Sequence, residues 1–149
     1  MTVTVRFHRV LRCPPERVYR AFTDPDAWVR WLPPFGFTAK LHQHEPVVGG
    51  AWRMSFTNFS GGGTHHFGGF YRELVPGEKL VYTARFDDPN LPGDMQTAVQ
   101  LRAVLTGCEL QIEQSGIPDM IPAEACTLGW QESLVQLAQL VEPTIPSGA

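Results

Sequence analysis

Val3, Val5 and Phe7 alternate with Thr4, Arg6 and His8, the two-residue period of a half-buried strand. Cys13-Pro14-Pro15 ends it, because proline brings no N–H to a strand ladder and suits the first turn of a helix. Val18, Ala21 and Phe22 then recur at helical spacing. Asp24-Pro25 predicts a second short helix, with the aspartate as N-cap and the proline as first residue. That helix carries Trp28 and Trp31 and must stop at Pro33-Pro34. Period-2 patterning resumes at Phe37, Ala39 and Leu41. It continues through Trp52, Met54 and Phe56, a strand from about His65 to Leu74, then Leu80, Tyr82, Ala84 and Phe86. Val99, Leu101, Ala103 and Leu105 follow, and last Cys108, Leu110 and Ile112. Glycine-rich or proline-glycine turns separate these runs: Val48-Gly49-Gly50, Gly61-Gly62-Gly63, Pro76-Gly77, 87–93 and Thr106-Gly107. From Pro122 to Glu142 the period changes to that of a helix, which Pro143 stops. Its apolar stripe reads Cys126, Trp130, Leu134, Leu137 and Val141, widened by Leu128 and Val135. At about 1.5 Å per residue such a rod is roughly 30 Å long, enough to cross a sheet.

This order predicts one α+β domain over 1–143 with a short flexible tail over 144–149. The strands form a curved antiparallel sheet around the long C-terminal helix, with two short helices after the first strand. A sheet bent around a helix leaves its widest gap where the short helices and loops form a lid.

The 149 residues are the length of one domain, and 43% hydrophobic against 18% charged residues supports a sizeable core. The net charge of -3, with no basic stripe, argues against nucleic-acid binding. The first residues lack the unbroken apolar region of a signal peptide, and no apolar run reaches the roughly 18 residues of a membrane span. Cys13, Cys108 and Cys126 are odd in number and widely spaced, as reduced thiols of a cytoplasmic protein would be.

Candidate chemistry changes this picture little. Gly61-Gly62-Gly63 and Gly68-Gly69 fit neither the P-loop nor the dinucleotide fingerprint, and read as a hairpin tip and a close backbone approach. His42 and His44 would share a strand face, while His65 and His66 would face opposite ways. A zinc site needs three or four convergent ligands, and no spacing here demands one, so neither metal nor cofactor is expected. No nucleophile elbow is present, and Asp87-Asp88 lies among turn residues. Acid–base work by an inward Tyr82 with His65 or His66 is the one catalytic arrangement the pattern allows.

Several strings, in order, carry a resemblance. These are 14–25 (PPERVYRAFTDP) with Trp28 and Trp31, Val48-Gly49-Gly50, 69–83 (GFYRELVPGEKLVYT), Thr106-Gly107-Cys108-Glu109-Leu110 and Gly129-Trp130. The chain resembles the heat-shock-protein-90 ATPase activator homologues, within the START-like (SRPBCC) helix-grip superfamily that includes the birch pollen allergen. Cys108 departs from the pattern, standing where the family usually has a Gly-Thr pair before a strand. The resemblance implies the fold: a curved antiparallel sheet gripping a long C-terminal helix. Fold analogy alone does not fix function.

The expected function is binding of an apolar or aromatic small molecule in a cavity lined by Trp28, Trp31, Phe35, Phe37, Trp52, Met54, Phe56, Tyr82, Phe86, Trp130 and Leu134. Two alternatives stand beside it: a co-chaperone-like protein acting on a larger ATPase, and a cyclase-like or hydrolase-like enzyme using the same cavity. The size of the cavity separates the first reading from the co-chaperone one, and a convergent polar pair inside it favours the enzyme. The sequence is compatible with a homodimer and gives no support of its own for a chaperone partner.

Overall fold

The computed structural model describes residues 3–148. Met1, Thr2 and Ala149, and with them the outer ends of the expected domain and tail, lie outside the described residues. The elements run β1 (Val3–Leu11), α1 (Pro15–Thr23), α2 (Pro25–Trp31), β2 (Phe37–His44), β3 (Ala51–Asn58), β4 (Thr64–Val75), β5 (Lys79–Phe86), β6 (Met95–Val104), β7 (Gly107–Ile117) and α3 (Ala123–Val141). The seven strands form one antiparallel sheet in the order β1-β7-β6-β5-β4-β3-β2. It curves around α3, the helix-grip arrangement expected.

The local signals act as the sequence implies. Pro15 opens α1, and the Asp24 carboxylate caps α2 by accepting from the N–H of Asp26 at 2.9 Å and of Ala27 at 3.1 Å. Gly62 takes positive φ at the β3–β4 hairpin tip. Gly69 answers a different need, since a Cβ there would collide with the Thr83 carbonyl of β5. Only glycine lets these two strands approach so closely.

Three expectations are corrected. Leu128 and Val135 do not widen the buried stripe of α3; both point to solvent, and Ser133 joins Trp130, Leu134, Leu137 and Val141 inside. Stepping by about 100° per residue places 133, between 130 and 137, nearer the centre of the buried face than 128 or 135. Leu105 is fully exposed, because β6 ends at Val104 and the chain turns there. His42 and His44 lie on opposite faces, because a bulge between Leu41 and Gln43 inserts one residue and breaks the alternation.

α3 approaches α1, α2 and β1 closely, but not the middle strands of the sheet. Its grip on the lid is polar. Ser133 Oγ donates to the Leu32 carbonyl at 2.6 Å, and the Gln136 side chain donates to the carbonyls of Trp31 and Pro33 at 3.0 and 2.6 Å. Glu132 accepts from the Phe35 N–H at 3.2 Å. The Ser133 and Gln136 bonds satisfy carbonyls at and just past the C-terminal end of α2, which helix geometry leaves without partners.

Candidate ligand cavity

Between α3 and strands β2 to β7 lies a cavity of about 320 Å³. Phe37, Trp52, Phe56, Phe67, Tyr82 and Phe86 come to it from the sheet; Ala125, Cys126, Gly129, Trp130 and Ser133 come from α3. Leu32 and Pro34 border it on the lid side, Ile117 and Ile121 at the β7–α3 connection. No Asp, Glu, Lys or Arg lines it, and His65 is the one histidine that does.

The expected lining residues divide. Phe37, Trp52, Phe56, Tyr82, Phe86 and Trp130 do line the cavity. Trp28, Trp31, Met54 and Leu134 do not; they fill the solid part of the core. Trp31 is held there by its indole N–H, which donates to the Ala21 carbonyl at 2.8 Å, and by edge contact with Phe22. Trp28 is surrounded by aromatic rings, with Trp52 at 5.0 Å and Tyr82 at 5.6 Å, both edge-on. Phe35 stands outside, 52% exposed, on the loop that follows α2. The short helices therefore close the core rather than line the space.

Tyr82 and Gln114 line the cavity and belong to a row of polar cross-strand neighbours that runs across the inner face: Tyr71, Tyr82, Thr97 and Gln114 on β4, β5, β6 and β7. The Trp130 indole donates to Gln114 Oε1 at 2.9 Å, and the Cys126 thiol to the same oxygen at 3.5 Å. Gln114 Nε2 donates to Thr97 Oγ1 at 3.1 Å. Tyr82 is pushed up from its ordinary range by burial, against which the Thr97 hydroxyl, a hydrogen-bond partner, pulls down. Burial likewise raises Tyr71 and the Cys126 thiol. At the far end of the row His44 Nε2 lies 2.8 Å from the Tyr71 hydroxyl, its own pKa lowered by burial against the upward pull of Asp24. The cavity therefore offers phenol, hydroxyl, amide and thiol groups, with the His65 imidazole at its exposed edge.

Gln114, Gly129 and Ser133 line the cavity without the sequence pattern marking them as cavity residues, and Thr97 stands behind them as the partner of Gln114. Thr97 and Gln114 were nonetheless legible: each continues the inward positions of a clean alternation, Thr97 before Val99 and Leu101, Gln114 after Leu110 and Ile112.

Elsewhere the chemistry is that of a solvated surface. A wider groove, about 850 Å³, lies on the outer face of the sheet and is bordered by Arg6, Glu73, Lys79 and Glu113. Its charges pair with one another, Arg6 with Glu113 at 2.9 Å and Lys79 with Glu73 at 2.8 Å, and exposed pairs of this kind contribute little. His42 bonds Ser55 Oγ at 2.8 Å and faces His66, while His65 turns to the cavity. Among the described residues, no three of His, Cys, Asp and Glu converge as metal ligands. No helix among them is long and apolar enough to cross a membrane.

Comparison with known proteins agrees with this architecture. The family model described as activator of Hsp90 ATPase homolog 1-like protein matches residues 12–142. No curated protein matches. A crystal structure of a Chromobacterium violaceum protein is 59% identical, covering 95% of this chain and 98% of its own, with a TM-score of 0.94. A Rhodobacter sphaeroides protein is 24% identical over 92% of this chain and 90% of its own, TM-score 0.81. The AHSA1-like protein of Aeromonas hydrophila, solved in solution, is 20% identical over 94% and 92%, TM-score 0.75. The last two likenesses speak to the fold alone.

Proposed function

The chain belongs to the activator of Hsp90 ATPase homolog 1-like family, and from that footing we propose that it binds a small apolar or aromatic molecule in the cavity beneath α3. The observation that carries this reading is a largely apolar cleft of about 320 Å³ between α3 and the sheet, bordered by aromatic side chains from both. The volume falls within the range of small-molecule sites. Water in it makes few hydrogen bonds, so an apolar ligand would displace it favourably, at about 25 cal/mol for each Å² buried.

The cavity also weighs between the alternatives. A domain that serves only as an interaction surface for an ATPase has no use for a recessed apolar cleft under its helix, and Gly129 argues that the space is kept. It stands inside α3, where glycine costs roughly 1 kcal/mol relative to alanine. A Cβ there would meet nothing within 4 Å. An enzymatic reading would need a group that exchanges a proton near neutrality. Tyr82 and Cys126 are both raised by burial, away from that range, which leaves His65 as the lining group on which such a reading would rest.

The test is titration with a hydrophobic dye and a panel of small aromatic molecules, followed by the fluorescence of Trp52 and Trp130. Saturable binding is expected. It should be lost in Gly129→Leu, whose side chain enters the cavity, while the thermal midpoint of that variant stays at or above that of the parent. Absence of saturable binding to the parent protein overturns the reading.

A further inference from the structure

The donors and acceptors in the cavity floor run in one direction, and the direction is fixed from one end. An indole N–H can only donate, so the Trp130 bond sets the Gln114 amide with its oxygen toward Trp130. Its nitrogen is thereby set toward Thr97, and that nitrogen too can only donate. Thr97 Oγ1 is thus an acceptor from Gln114. Both bonds, from Trp130 to Gln114 and from Gln114 to Thr97, point toward Tyr82, the cross-strand neighbour of Thr97. The Tyr71 hydroxyl is engaged by His44 and Thr97 by Gln114, and among the described residues no hydrogen bond claims the Tyr82 hydroxyl proton. Tyr82 is 4% exposed and lines the cavity.

We infer that the Tyr82 hydroxyl is the specificity-determining donor of this site, and that the ligand is a neutral one- or two-ring molecule carrying a carbonyl or comparable acceptor. This rests on the cavity reading above. Neutrality follows from the lining, which holds no Asp, Glu, Lys or Arg to balance a charge and has its one histidine, His65, at the exposed edge, in surroundings where an unpaired ion is costly. Size follows from the volume, which is that of about ten liquid water molecules at roughly 30 Å³ each. Burial keeps Tyr82 protonated well above neutral pH, so the donor is present throughout the physiological range.

The probes are 1-indanone, with one carbonyl, and indane, the same ring system with none. Dissociation constants are measured for the parent protein and for Tyr82→Phe, which keeps the ring and removes the hydroxyl. The parent should hold 1-indanone roughly two- to tenfold more tightly than indane, the net contribution of one hydrogen bond, and Tyr82→Phe should lose that preference. Equal binding of the two probes by the parent overturns the inference and leaves the cavity reading intact. A preference that survives in Tyr82→Phe also overturns it, because another donor would then be responsible. If neither probe binds, both readings fall. The infrared spectrum of 1-indanone bound to the parent needs no variant and guards against a Tyr82→Phe that does not fold. A carbonyl stretch displaced to lower frequency supports the donor, and one at the position found in an apolar solvent removes it.

Discussion

Trp130 takes part in packing and in polarity at once. Its ring lies 5.9 Å from that of Phe7, and its N–H donates to Gln114. Trp130→Phe keeps most of the apolar contact but leaves Gln114 Oε1 with only the weak Cys126 donor. The expected loss is about 1–3 kcal/mol for a buried acceptor left short. Trp130→Ala also opens a void and should cost about 3–5 kcal/mol. Chemical denaturation of the two variants separates the polar share from the packing share, and an unchanged midpoint in both would mean that neither matters. Titration marks two further residues. The ordinary value of His44 is 6.5, lowered in the fold by burial against Asp24. As pH falls below 6.5 the unfolded chain takes up that proton first. The stability His44 contributes is therefore full above 6.5 and is lost as pH falls through the lower folded value. Cys13 runs the other way: burial, chiefly, raises it from 9.0 to about 11. Its contribution is full below pH 9 and is lost as pH rises through about 11. The denaturation midpoint should fall on both limbs, with the acid limb flatter in His44→Gln and the alkaline limb flatter in Cys13→Ala.

At the scale of elements, the sequence carried most of what the structure holds. Alternation, prolines and glycine turns located all seven strands and three helices, because each rests on a local rule of backbone geometry. What was not legible depends on relations between elements. The bulge that turns His42 away from His44 is set by pairing of β2 with β3, and nothing in either strand alone announces it. Trp28 and Trp31 have the size and apolarity of cavity residues. The path of α2 against α1 sends them instead into the solid core. Gly129 enters the sequence pattern only through the Gly129-Trp130 string, yet it is a residue of high backbone entropy seven positions into a 19-residue helix. Since a Cβ there meets open space, Gly129→Ala should stabilise the protein by about 0.5–1 kcal/mol. Thermal unfolding gives the value, and a loss of stability would show that the helix backbone at this point is more crowded than its surroundings indicate.

At the scale of the whole molecule, the cavity is a consequence of how α3 is held. The helix is fixed at its flanks by α1, α2 and β1 and tied to the lid by Ser133, Gln136 and Glu132, so the middle of the sheet can curve away beneath it without the fold coming apart. Phe86 and Met95 meet the space from β5 and β6, strands whose backbone α3 does not approach closely. The sheet order has a further consequence, in time rather than in space. β1 pairs with β7, as the bond from Arg6 to Glu113 across 107 positions of chain shows. The first strand therefore has no neighbour until the last has been made, and α3, which covers the apolar inner face, arrives later still. Loops of that length must close before their contacts repay the lost entropy, so refolding in a stopped-flow instrument should take milliseconds to seconds rather than the microseconds of a helical bundle. During that interval Trp52, Phe67 and Tyr82 lie open on a half-built sheet. The nascent chain is then a client for any factor that shields apolar surface, before the finished protein has bound anything at all.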